Sequence, residues 1–244
     1  MTAPDPFAPA SLGPLTLRNR IIKAATFEGV MRNGAVTDEL IEFHRRVAAG
    51  GVGMTTVAYC AVSPGGRVQR HTLVMDPTVV PDLKRLTDAV HAEGAAISAQ
   101  IGHAGLVANT RSNGLSTLAP STRISAPAMA LVRAASREQL DEVVSDFERS
   151  TRVAAEAGFD AVEVHLGHNY LLSSFMSPNL NKRTDGYGGS LGNRVALPRR
   201  VLNAVKEAAP PHMAVTAKFN MADGVDAGLW LDESLPMAKL IESD

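Results

Sequence analysis

The chain has 244 residues, 45% of them hydrophobic and 20% charged, enough apolar material for one large globular domain or two small ones and too much for a disordered chain. A formal net charge of −1 without a dense Lys/Arg cluster gives no electrostatic reason to expect nucleic acid or an anionic membrane surface, so a small-molecule partner is the default. The single cysteine, Cys60, excludes an internal disulfide or an iron–sulfur cluster; the sequence shows no bilayer-length apolar run and opens on "MTAPDPFAPASLG" without a leader pattern, and a cytoplasmic location is expected.

In chain order, short β-rich runs alternate with longer helical patterns. A first strand is expected over 20–25 (RIIKAA). Thr37 then caps a helix that begins with acids and stops at Gly50. A second strand follows over 51–59, a helix over 79–94 and a third strand over 95–101. The capping box Ser136-Arg-Glu-Gln139 opens a helix running to about Gly158, and a fourth strand occupies 159–166. A helix over 193–209 contains Pro198, which is expected to kink it or mark its first turn; a strand over 212–219 and a helix over 232–243 complete the pattern. Two long excursions, 102–135 and 167–192, add no strands to this rhythm.

Repeated strand–helix units predict parallel strands with crossover helices, either doubly wound or in a (β/α)8 barrel. The first strand is not followed by the glycine-rich fingerprint of a dinucleotide fold, so the barrel is preferred. About five of eight units are present in one domain over 1–244, and the pattern stops near the fifth helix. The edges of such an incomplete sheet are open to pairing or homo-oligomerisation.

Side chains alternate along a strand, and the apolar set belongs against the helices. By this test Val162, Val164 and Leu166 face outward and Glu163 and His165 inward; Ile97 and Ile101 outward, Ser98 and Gln100 inward; Val215 and Phe219 outward, Thr216 and Lys218 inward. Three strands therefore deliver Gln100, His165 and Lys218 to the C-terminal rim, where barrel active sites are built. His103, His165 and His168 as metal ligands lack an inward carboxylate at the same level, and Cys60 lacks a local base for nucleophilic catalysis. Two imidazole donors side by side suit the grip of one carbonyl oxygen, with the Tyr170 phenol nearby.

The stretches "LRNRIIKAATFEG", "SAQIGHAG", "AGFDAVEVHLGHNYLLSSFMSP" and "NKRTDGYGGSLGNR" resemble the Old Yellow Enzyme family of FMN-dependent NAD(P)H:flavin oxidoreductases and ene-reductases, in order and across the chain. The resemblance implies a (β/α)8 barrel holding FMN, with NADH or NADPH as reductant and an enone-type substrate. It implies that Ala25, Thr26 and Tyr59 lie beside the flavin ring, Gln100 at its pyrimidine edge and Lys218 near N1 and O2. His165 and His168 would hold the substrate carbonyl and Tyr170 would stand at the proton donor's position, with no metal involved. Asp185, Tyr187, Gly188, Gly189 and Arg194 would hold their loop against the barrel, and the loops that bind the FMN phosphate in the family would lie past the last helix. A non-enzymatic binding or assembly module and, least favoured, a metal-dependent hydrolase are the competing readings.

Overall fold

The computed structural model describes residues 4–243. It begins with a hairpin of β1 (Ala10–Leu12) and β2 (Leu15–Leu17), which the hydrophobic pattern did not announce. Then come β3 (Ile22–Lys23), α1 (Asp38–Ala49), β4 (Met54–Ala61), β5 (Leu73–Val74), α2 (Val80–Ala92) and β6 (Ala96–Gly102). The excursion after β6 carries α3 (Thr110–Asn113) and a hairpin of β7 (Arg123–Ser125) and β8 (Ala130–Val132), followed by α4 (Arg137–Glu156). The remainder is β9 (Ala161–Leu166), α5 (Leu171–Met176), α6 (Leu191–Ala208), β10 (Ala214–Phe219) and α7 (Leu231–Ser243).

Strands β10, β9, β6, β4 and β3 pair in that order, all parallel, with β5 added to the end of β4. This is the expected incomplete α/β barrel: among the described residues β3 and β10 have a neighbour on one side only. The first strand is a correction, since only Ile22 and Lys23 of 20–25 pair, and β4 is shifted, running 54–61 rather than 51–59. Edge position explains the shortness of β3: Ile22 is 41% exposed and the backbone from Ala24 onward leaves the sheet as a loop.

Helix ends follow their caps. The Thr37 hydroxyl accepts from Leu40 N–H, and the Ser136/Gln139 capping box is closed in both directions at 3.2 and 3.0 Å. Ser136→Ala removes one half of that box and is expected to cost about 1 kcal/mol in urea unfolding; an unchanged midpoint would show that α4 is held by packing alone. In α6 the Ser190 side chain accepts from Asn193 N–H and starts the helix at Leu191, so Pro198 lies inside it and does not mark the first turn.

The outward faces of the strands meet the helices as alternation requires: Ile97, Ala99, Ile101, Val162, Val164 and Leu166 join Phe147, Val201 and Leu86 in one core. In β4 the alternation breaks. Val57 and Cys60 both lie in this outer core although they are three apart, because the register against β6 shifts between them. The bulge turns Ala58 and Tyr59 toward the rim, where they cluster with Ala61, Ala25 and Tyr170. At the opposite end Leu12, Leu15 and Leu17 of the hairpin pack on Met54, Ala96, Ala161 and Ala214, the first residues of four strands, or nearly so, and plug the N-terminal mouth.

The second excursion is tied down as read. Arg183 donates to both carboxylate oxygens of Asp185 (2.9 and 2.7 Å) and to Pro120 O and Ala135 O, and this holds the Asp185 carboxyl down at about 2. Asn181 Nδ2 donates to Phe175 O and Tyr187 O, each at 2.7 Å. Gly188 passes so close to Arg183 that a Cβ there would lie 2.3 Å from its carbonyl oxygen, which is why no side chain fits.

Candidate active site

At the C-terminal rim a cavity of about 410 Å³ is lined by Ala25, Thr26, Phe27, Ala58, Tyr59, Val68, Gln69, Gln100, His165, His168 and Tyr170. Seven of the eight residues singled out from the sequence are thus brought together: Ala25, Thr26, Tyr59, Gln100, His165, His168 and Tyr170. The eighth, Lys218, stands directly opposite His165 in the β9–β10 register without lining this cavity.

His165 is 3% exposed on β9. Burial, with smaller contributions from His168 and the Lys218 charge, pushes its imidazole down to about 3. It is therefore neutral near pH 7, and because Nδ1 accepts from Gly167 N–H (3.2 Å) its proton sits on Nε2. That Nε2 lies 3.1 Å from Nδ1 of His168, an exposed residue just past the strand. His168 and Asn169 both adopt left-handed backbone (φ 58° and 56°), and His168 N–H donates to Asn220 Oδ1 at 3.1 Å. Asn220 follows β10, so the end of one strand fixes the turn leaving the next.

Tyr170 opens α5, its ring 4.4 Å from that of His165 and 5.3 Å from that of Tyr59. Burial raises its phenol above the ordinary tyrosine value, so the group keeps its proton at neutral pH. Tyr59 is buried, its hydroxyl donating to Gly66 O (2.9 Å). Gly102 at the end of β6 leaves the space these rings need: a Cβ would meet Tyr59 at 2.8 Å and His165 at 3.0 Å. Gln100 Nε2 donates to Glu163 Oε1 (2.8 Å), across the β6–β9 register, which leaves the amide oxygen of Gln100 without a protein donor among the described residues.

Alternation along the strands found Gln100, His165, Lys218 and Glu163. It missed Val68, Gln69 and Asn220, which sit on loops; their signal was only that they follow strands whose C-terminal ends form the rim. His103 lies apart, buried, with Nδ1 accepting from Gly105 N–H (3.1 Å), and burial lowers it to about 4. Among the described residues no group of three or more His, Cys, Asp or Glu side chains is placed to hold a metal ion. The Cys60 thiol is fully buried and held protonated by its surroundings.

These histidines make stability pH-dependent with a definite sign. For His103 and His165 the folded value lies below the unfolded 6.5, so the unfolded chain binds more protons between those values and stability falls as pH drops below 6.5. Each group is expected to remove about 2 kcal/mol between pH 7 and 5. Urea titrations of wild type and His103→Gln measure this, and curves with equal slope against pH would refute it for His103.

No helix among the described residues is long and apolar enough to cross a membrane. The family model for NADH:flavin oxidoreductase / NADH oxidase proteins matches residues 5–243. The chain is 71% identical over 245 aligned residues to the 4,4'-dithiodibutanoate disulfide reductase of Rhodococcus erythropolis, covering 100% of this chain and 61% of that protein. It is 34% identical to the NADPH dehydrogenase of Listeria monocytogenes serotype 4a, covering 98% of this chain and 70% of the relative. It superposes on the old yellow enzyme homologue from Zymomonas mobilis with a TM-score of 0.87 at 25% identity, over 98% of this chain and 71% of that one. The chain thus spans less than two thirds of its Rhodococcus relative, and it belongs to the NADH:flavin oxidoreductase / NADH oxidase family.

Proposed function

We propose that the cavity is the active site of a flavin-dependent NAD(P)H oxidoreductase that reduces the C=C bond of α,β-unsaturated carbonyl compounds. The observation that carries this reading is the His165–His168 pair, two ring nitrogens 3.1 Å apart, lining a cavity together with Ala25, Thr26, Tyr59 and Gln100. When bound, flavin mononucleotide reduced by NADH or NADPH supplies a hydride to the substrate. The residues present fit that group. Ala25, Thr26 and Tyr59 offer it a wall and Gln100 an amide oxygen for an N–H, and the Lys218 ammonium stands outside the cavity lining, opposite His165 in the strand register.

His165 Nε2–H donates to His168 Nδ1. A carbonyl oxygen seated between the rings accepts from both only if His168 carries its proton on Nδ1, so binding exchanges the imidazole–imidazole bond for two bonds to the substrate. Those bonds withdraw electron density from the conjugated alkene. Tyr170, protonated and beside His165, is placed to give the proton that completes the α carbon. Asn220→Ala frees the left-handed turn that aims His168, and phenol binding to the flavin-loaded protein is expected to weaken about tenfold, the loss of roughly one hydrogen bond; unchanged affinity would show that Asn220 does not position the pair.

A second reading, reduction of a disulfide, is favoured by the likeness to the Rhodococcus 4,4'-dithiodibutanoate disulfide reductase. Hydride addition at one sulfur breaks the S–S bond, and the electron pair leaving on the other sulfur takes a proton. The chain's own thiol offers no exchange route, since Cys60 is its only cysteine and is buried. Anaerobic NADPH and NADH oxidation with cyclohex-2-enone and with 4,4'-dithiodibutanoate, counting released thiols, separates the two. Turnover of the enone alone supports the first reading and of the disulfide alone the second; a protein that gains no flavin absorption band with excess FMN sinks both.

A further inference from the structure

Behind the cavity wall lies a charged cluster that none of the chemistry above uses. The Glu28 side chain is 1% exposed and receives Lys23 Nζ at 2.7 Å; the same ammonium donates to Thr56 O at 2.9 Å. His44, on α1, lies with Nε2 3.4 Å from Glu28 and Nδ1 2.8 Å from Thr55 Oγ1, and desolvation lowers its imidazole, which keeps it neutral. Burying an ion pair carries a desolvation penalty and is weak evidence of a stabilising device. Its position suggests another purpose. Both Glu28 carboxylate oxygens accept from the Ala58 N–H, at 3.2 and 3.3 Å. Ala58 is in the bulge of β4, where the register against β6 shifts and its N–H loses a regular ladder partner. Glu28 itself directly follows Ala25, Thr26 and Phe27, so one carboxylate joins the two backbone segments that make one wall of the cavity.

We propose that Glu28 is a positioning residue for the flavin site: it holds the Ala58–Tyr59 bulge and the 25–27 loop in the shape against which the ring lies, with Lys23 as its counter-charge. This rests on the reading of the cavity as a flavin site. Glu28→Gln keeps the size and one acceptor but removes the charge, and Lys23→Met/Glu28→Gln removes both charges, leaving no unpaired ammonium.

The test measures three quantities on each protein: the urea midpoint, exchange of the Ala58 amide by NMR, and FMN affinity by flavin fluorescence. In Glu28→Gln, Ala58 exchange is expected to rise at least tenfold and FMN affinity to fall about tenfold, with a shifted visible band of the residual bound flavin. In the double variant the urea midpoint recovers while exchange and affinity do not, a split that a merely structural ion pair would not produce. Unchanged Ala58 exchange in both variants overturns the proposal, as does wild-type FMN affinity alongside fast exchange. If the wild-type protein itself takes up no FMN, the active-site reading fails and the role toward flavin falls with it, while the exchange data still decide whether Glu28 holds the bulge.

Discussion

Replacing His165 by alanine is expected to lower turnover of a conjugated enone by roughly 10²–10³-fold per flavin-loaded site, the usual cost of deleting one donor to a developing oxyanion. The size follows from the environment. His165 is buried and neutral, its Nε2–H directed by the Gly167 contact on the other side of the ring, so its bond to a substrate oxygen is made in a water-poor site without reorganisation. His168 is exposed and held only through its turn, and its alanine variant is expected to lose less. The affinity of a phenol bound as its phenolate, with the charged oxygen on the pair, is expected to drop about 10- to 100-fold in His165→Ala, equivalent to about 1.5–3 kcal/mol for a charge-assisted hydrogen bond. His165→Gln retains an N–H and should recover part of both losses. A His165→Ala protein turning over within fivefold of wild type would remove the pair from the mechanism, and equal losses for enone and disulfide substrates would remove its specificity for carbonyls.

Arg194→Ala is expected to be the most destabilising of the substitutions considered. The guanidinium is buried in the first turn of α6, donating to Met176 O (2.6 Å), to Gly189 O (3.2 Å) and to Glu233 of α7. It therefore ties the end of α5, the glycine turn and the last helix together. Truncation strands a buried carbonyl and leaves Glu233, itself about one third open to solvent, without its partner. Loss of the buried donor to that carbonyl, of its packing and of the partly exposed ion pair costs about 3 kcal/mol. For a chain of this size that corresponds to a fall of about 10 °C in Tm. A fall below about 2 °C would show that packing of α6 on α4 and α7 suffices.

Both residues were visible in the sequence, for different reasons. His165 follows from period-two alternation, because Val162, Val164 and Leu166 had to face the helices and the rule leaves its side chain on the other face. Gln100 and Lys218 follow by the same step, and the register places Lys218 beside His165. Arg194 was read as structural from a motif, and its three contacts bear that out. What stayed hidden shares a cause. The bulge in β4 breaks the parity on which the reading of inward and outward faces depends, so the outward placement of both Val57 and Cys60 had no signal in their spacing. Glu28 reaches Ala58 over 30 positions and Asn220 reaches His168 over 52, and no local pattern encodes a hydrogen bond between a loop and a distant strand end. The hairpin over 10–17 was missed because three-residue strands are too short for alternation to register.

That hairpin imposes an order on folding. Its leucines rest on Met54, Ala96, Ala161 and Ala214, so its docking surface spans some 160 positions of sequence and is complete only when the last of these strands has been laid down. The hairpin precedes in sequence every strand it rests on, and its seat is incomplete until the residues around 214 have been made. Closing the long loop between the hairpin and Ala214 is then a late and slow event. Until it happens, four strand beginnings stay wet.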